Sequence, residues 1–328
     1  MNDNHIDYII INNFKSVRLA EIRDCRRINL FIGKPNVGKS NILEAFSLFS
    51  ISYLGYTKNK SLQHFVRAES DSELFFDGYT NNPCYINTSL SSLALESIQD
   101  KLYIDPFPNE NEGNVYPFEG LTGCEDNTYA QYDNPFKAYF YPSAFEKEKV
   151  PLNFLLPPNG GNLMSIVSQL PELKEELKTI FNEYGLQYVF DTNSQEIKVI
   201  KKKSSDEIFL IPFNSIADSL KRMIFYKAAI QSNKNSILTF EEPEAHAYPP
   251  YISKITQDII ASETNQFFIT THSPYVINDF LEPNNNELAI YLVDFKNGET
   301  VVKRLTDEEL QQVYDFGIDL FYNTETFL

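Results

Sequence analysis

Gly33-Lys34-Pro35-Asn36-Val37-Gly38-Lys39-Ser40 constrains this chain more than any other segment, because a loop with this glycine spacing works only between a buried strand and a helix start. Both flanks are present. Ile28 to Ile32 is an apolar run that reads as a buried strand, and Asn41 to Phe49 carries apolar residues at helical spacing. In that setting the backbone N–H groups of the loop wrap a triphosphate at the positive end of the helix. Lys39 is expected to reach the β- and γ-phosphates and the Ser40 hydroxyl to hold Mg²⁺, with Asn36, Val37, Gly38 and Asn41 completing the cradle.

A chain of 328 residues has room for one large domain or two ordinary ones. Its net charge of −17 sets the average surface against nucleic acid and anionic membrane. Lys201-Lys202-Lys203 is the compact basic strip, and it reads as a solvated hairpin end. Cys25, Cys84 and Cys124 are odd in number and lack CxxC spacing, which argues against a disulfide framework and a zinc site and suits a reducing cytoplasm. No apolar stretch approaches the roughly 20 residues that span a bilayer. A soluble, unprocessed, cytoplasmic protein is expected.

Two short strands, Tyr8 to Asn12 and Val17 to Glu21, predict a small antiparallel layer beside the loop. From about Leu62 to Tyr141 the texture turns rich in Asn, Asp, Ser, Pro and Tyr, as in Asp105 to Asn114, and reads as an inserted, mostly β lobe. Asp71, Glu73, Asp77, Glu110 and Glu112 there read as solvated loop acids. A helical stretch from Asn162 to Tyr184 is broken at Pro171, and strands follow at Gln187 to Phe190, Glu196 to Ile200 and Glu207 to Ile211. Beyond a helix at Ser215 to Ile230 the chain alternates strand and helix to Leu281, which predicts a parallel sheet. A hairpin about Asn297-Gly298 and a helix from Thr306 close it. The expected division is 1–60, an N-terminal head portion; 61–208, an inserted α+β lobe; and 209–328, the rest of the head.

The apolar strand Ile237 to Phe240 runs into Glu241-Glu242-Pro243-Glu244-Ala245-His246. Two carboxylates at a strand's carboxyl end suit a nucleotide site: Glu241 is assigned to the metal and Glu242 to the attacking water. Phe267 to Thr270 is another apolar strand, ending in Thr271-His272-Ser273-Pro274, and His272 is expected to contact the γ-phosphate or position the water.

Asn13-Phe14-Lys15-Ser16, the glycine loop, the Glu241-Glu242 segment and Thr270-Thr271-His272-Ser273-Pro274, in that order, resemble the ATP-binding-cassette-type ATPases of the structural-maintenance and RecF-like class. The likeness is nearest to ATPases of bacterial phage-defence operons and covers roughly residues 6–55 and 209–328. It implies an α/β P-loop head with a mixed central sheet flanked by helices and an N-terminal antiparallel β layer. Members bind ATP and Mg²⁺ between two heads, so the resemblance implies a homodimer or larger assembly, Glu242 as catalytic glutamate, His272 as switch histidine and Lys15 near the nucleotide.

Departures from the family pattern are informative. Glu241 stands where Asp is usual. The signature segment, normally Leu-Ser-Gly-Gly-Gln, falls at Ile216-Ala217-Asp218-Ser219-Leu220, where only Ser219, or Ser215 upstream, offers a hydroxyl to a partner's γ-phosphate. Slow hydrolysis is expected. Gln63 is a candidate for the family's glutamine-loop residue. Without a coiled-coil arm, the resemblance implies a nucleotide-driven switch or scaffold for a separate effector protein in phage defence. The alternatives are a RecF-like DNA-binding repair ATPase and a module that captures ATP without hydrolysing it.

Overall fold

The computed structural model describes residues 4–99, 101–106, 115–123, 134–191, 196–204, 207–282 and 286–328. Cys124, Glu110, Glu112 and most of the turn-rich run after Asp105 lie outside the described residues. β1 (Tyr8–Phe14) and β2 (Val17–Arg23) pair antiparallel around Lys15 and Ser16. β3 (Ile28–Ile32) enters the glycine loop, and α1 (Lys39–Ser47) leaves it and runs on as a 3₁₀ stretch, Leu48–Tyr56.

The next strands, β4 (Cys84–Thr88), β5 (Ser92–Ile98), β6 (Lys101–Asp105), β7 (Tyr116–Glu119) and β8 (Thr122–Gly123), form no separate sheet. β4 pairs with β1, so the β-rich segment extends the N-terminal layer in the order β2-β1-β4-β5-β6-β7-β8. β9 (Phe136–Tyr139) leaves that layer and lies parallel to a strand a hundred residues downstream.

Helices α2 (Leu163–Gln169) and α3 (Pro171–Glu183) are split as expected, because Pro171 has no N–H to give and sits at the first turn of the second helix. β10 (Gln187–Asp191), β11 (Glu196–Lys202) and β12 (Ile208–Pro212) form a three-stranded antiparallel sheet. Then come α4 (Asp218–Ser232), β13 (Ile237–Glu241), α5 (Pro249–Ala261), β14 (Gln266–Thr270) and α6 (Pro274–Phe280). The hairpin β15 (Leu288–Lys296) and β16 (Glu299–Arg304) leads to α7 (Asp307–Phe316), capped reciprocally by Thr306 and Glu309, and to the short α8 (Thr324–Phe327).

The central sheet runs β16-β15-β3-β14-β13-β9, parallel except at β16. β3 and β14 are buried along their whole length, as strands covered on both faces must be. Alternation sorts their side chains: Phe31, Phe268 and Tyr291 meet α1 and the antiparallel layer, while Leu30, Ile269 and Leu292 meet the helices opposite. This is the mixed sheet, helical flank and N-terminal β layer that the sequence predicts.

Phe268 is fully buried, with its ring 4.4 Å from Phe46 and 6.4 Å from Phe31. Phe268→Ala is expected to cost about 3–5 kcal/mol, read as a lowered urea midpoint with an unchanged slope.

Candidate active site

Because β3, β14 and β13 are neighbours and parallel, the glycine loop, Thr271 and Glu242 all emerge at one edge of the sheet. Ligands of parallel sheets bind at that edge. A cavity of about 660 Å³ opens there, and Asn36, Gly38, Lys39, Ser40, Asn41, Glu241, Glu242 and His272 all border it. The candidates from three separate stretches of sequence therefore share one space.

The loop is held tightly. Gly38 has φ +98°, and a Cβ there would overlap the Thr300 hydroxyl. Thr300 Oγ1 donates to the Val37 carbonyl at 2.9 Å and lies 2.7 Å from Ser16 Oγ, to which Asn41 Nδ2 donates at 2.6 Å. Val37 is thus buried behind the loop, and Asn41 braces it from within the helix. Lys39 is buried, and its ammonium donates to the carbonyls of Lys34 (2.7 Å) and Gly33 (3.1 Å). Burial pulls its pKa down, while the nearby carboxylates of Glu242 and Glu241 push it back up.

Glu242 adopts φ +40°, a left-handed conformation unfavourable for a residue with a side chain, and its N–H is tied to the Thr270 carbonyl at 3.0 Å. Its carboxylate lies 3.3 Å from His272 Nε2. Burial and the Lys39 charge lower the His272 pKa, and Glu242 raises it. The imidazole stacks on Phe321 of the C-terminal segment, with centroids 6.4 Å apart. Below this pair, Glu244 accepts the Thr271 hydroxyl at 2.7 Å and the His272 N–H at 2.8 Å, joining the ends of β13 and β14.

Glu241 forms an ion pair with Arg67, a residue that sequence reasoning passed over. Lys15 borders the cavity, but its ammonium is engaged by Glu44 and by the Arg67 carbonyl at 2.7 Å, so it braces the wall instead of offering a free charge. The Gln63 amide turns away to the Ala68 carbonyl at 3.0 Å, leaving Arg67 on the wall where a glutamine is expected. Ser219 lies in the first turn of α4 and does not border the cavity. Its neighbour Asp218 accepts hydrogen bonds from Tyr141 (2.8 Å) and Arg222 (3.1 Å).

Thr300, Arg67 and Phe321 carry no motif of their own, and only tertiary placement exposes them. Among the described residues no group of three His, Cys, Asp or Glu side chains gathers as a metal cage. A hydroxyl at Ser40 and a carboxylate at Glu241 are nevertheless the hard oxygen donors that Mg²⁺ takes alongside nucleotide phosphates, so the residues present fit that ion. No helix among the described residues is long and apolar enough to cross a membrane.

The sequence profile of the AAA ATPase domain family matches residues 5–215 and 208–277. An ATP/GTP phosphatase of Helicobacter pylori is 23% identical over 322 residues, covering 82% of this chain and 85% of the relative. The DNA replication and repair protein RecF of Lactobacillus acidophilus is 31% identical over 99 residues, 30% of this chain and 24% of that protein. Endonuclease GajA of Bacillus cereus is 25% identical over 198 residues, 52% of this chain and 29% of GajA. The Smc head domain of Pyrococcus furiosus, solved with an extended coiled coil and bound to the C-terminal domain of ScpA, aligns with 95% of this chain and 99% of its own at a TM-score of 0.50 and 13% identity. That likeness is one of fold.

The electrostatics around His272 make a signed prediction. His272 should titrate below the ordinary imidazole value of 6.5 by NMR. Lys39→Ala should raise that pKa by removing a repelling cation, and Glu242→Gln should lower it by removing a stabilising carboxylate.

Proposed function

The chain belongs to the AAA ATPase domain family, and from that premise we propose that it is an ABC-type ATPase of the structural-maintenance and RecF-like class, a slow switch whose two copies close around ATP to control a separate effector protein. The observation that carries this reading is the convergence of Lys39, Ser40, Glu241, Glu242 and His272 on one cavity at the sheet edge.

In this reading Lys39 and the amides of Asn36 to Ser40 hold the phosphates, and Ser40 and Glu241 hold the cation. When bound there, Mg²⁺ would supply positive charge that offsets the charge of the phosphates. Glu242 takes the proton of a water whose oxygen bonds to the γ-phosphorus as the bond to the ADP oxygen breaks, and that oxygen leaves with the electron pair. The left-handed turn at Glu242 aims the carboxylate into the cavity, with His272 beside it. A neutral imidazole suits a hydrogen bond to the water or the terminal phosphate.

Two features support a second copy and a low rate. Ser219 does not border the cavity of its own chain, and the sequence resemblance gives its hydroxyl to the nucleotide of a facing one. Asp218 places a carboxylate at that helix start, where a partner's γ-phosphate would need N–H donors. A setting in the bacterial cytoplasm, in a phage-defence operon, follows from the sequence resemblance. Residues 61–208 are the portion we propose adapts the head to its effector.

A RecF-like, DNA-holding role is the second reading, favoured by the RecF match. Net charge −17 opposes it, and Lys198 beside the basic strip is already paired with Asp191 at 2.6 Å. DNA binding that appears only with ATP and falls steeply with salt would favour it over the effector switch.

Glu242→Gln is expected to slow phosphate release by about 10²–10⁴-fold while ATP still binds. Lys39→Ala should abolish binding. A wild-type turnover of about ten per second or more would exclude the slow switch. With the protein encoded next door, association or effector activity should change with ATP and lock in the Glu242→Gln variant; indifference to both sinks the effector role.

A further inference from the structure

β12 is the outermost strand of its sheet: it pairs with β11, and β11 with β10, so one side of β12 has no strand beside it among the described residues. Such an edge leaves amide N–H and carbonyl groups open, and natural sheets usually blunt it with charges or proline within the strand. Ile208-Phe209-Leu210-Ile211 has neither, and its first three side chains are 58%, 50% and 45% exposed. Proline arrives only at Pro212, where the strand ends.

The register sorts the two faces of the sheet. Ile197, Val199 and Ile211 turn to the core with Tyr188 and Phe190. The opposite face carries Val189, Ile200, Leu210 and Ile208, an apolar surface where an antiparallel sheet open to water ordinarily shows polar residues. On the other side of β12, beyond the end of the core, Phe209 stands opposite Lys201, and the Lys203 ammonium lies 5.3 Å from its ring centroid. Lys198 is paired with Asp191 at 2.6 Å. Lys201, Lys202 and Lys203 make no ion pair among the described residues, although the chain has 45 acidic and 28 basic side chains. One edge therefore combines an open backbone ladder, an apolar face and lysines left without carboxylates.

We propose that β12 is a docking edge for an extended acidic segment of a separate protein, which adds to the three-stranded sheet as a further strand with apolar and carboxylate residues in alternation. Its apolar residues cover Leu210 and Ile208, and its carboxylates meet Lys201 and Lys203 beside Phe209. Strand alternation lets one such segment serve both faces. Nucleic acid would use the lysines alone and leave the open amides and the apolar face without partners. From β12 the chain passes through a single turn, Phe213–Ser215, to α4, whose first turn holds Asp218 and Ser219. A docked segment is thus close along the chain to the helix start assigned to the facing copy's nucleotide. The proposal deepens the effector reading and rests on it only for the partner being a separate protein.

The test measures fluorescence anisotropy of a fluorescein-labelled peptide, about eight residues long, in which glutamate alternates with valine. It is titrated with the full chain, free of nucleotide, at low salt. Saturable binding is expected. It should weaken at least about tenfold when the peptide carries lysine for glutamate, when its alternate amides are N-methylated, or when the chain carries Lys201→Glu, Lys202→Glu and Lys203→Glu together. That triple variant should keep the wild-type melting temperature and ATP affinity, because the three side chains are exposed and lie outside the nucleotide cavity. No saturable binding, or binding indifferent to peptide charge or to N-methylation, overturns the docking edge. An oligothymidylate that binds and is lost in the triple variant, while the peptide does not bind, assigns the lysines to nucleic acid and overturns it as well. If the peptide fails but the protein encoded next door still responds to ATP, the docking edge falls and the effector reading stands; a peptide that binds while that protein is indifferent to ATP keeps the edge and removes the switch.

Discussion

A lysine ammonium buried at the start of a helix is the constraint around which this molecule is arranged. Lys39 is 5% exposed, and a cation so placed needs acceptors close by and carboxylates within Coulombic reach. The loop carbonyls of Gly33 and Lys34 supply the first, and Glu241 and Glu242 supply the second. Those four groups come from opposite ends of the sequence, and only the order β3-β14-β13 sets them together. The sheet's topology and the site's charge balance are therefore one requirement.

The same logic explains the left-handed turn at Glu242. A strand that ended in ordinary extended geometry would send successive side chains to opposite faces, and Glu241 and Glu242 could not both serve one cavity. The φ of +40° breaks the alternation, and the N–H bond to Thr270 holds the break in place. Glu244 then ties the following turn to the backbone of His272, which links the ends of β13 and β14.

Much of this was legible in the residues. The glycine loop, β13 and β14 are short apolar runs that end abruptly in chemistry, and such runs leave little choice of fold or of active edge. β9 was not legible: four residues containing a lysine carry too little periodicity, and it is held by its ladder to β13, by Phe136 stacked on Phe49 at 4.5 Å and by Lys137, which donates to the Ser236 hydroxyl at 3.0 Å. Nor could composition show that β4 to β8 extend the layer begun by β1, since strand pairing at long range leaves no local trace. Arg67 was missed for a different reason. The family pattern points to a glutamine by residue type, whereas the wall of the cavity holds an arginine beside a buried Lys15–Glu44 pair.

The strand that carries the glycine loop has a further consequence. β3 lies between β14 and β15, whose residues follow it by more than two hundred positions in the chain. During synthesis the loop has no neighbours to flank its strand until nearly all of the head has emerged, and contacts of such sequence separation form late and slowly. Nucleotide affinity is then acquired last. A truncated or half-folded chain has no finished cradle, so ATP stabilises only molecules that have completed their folding.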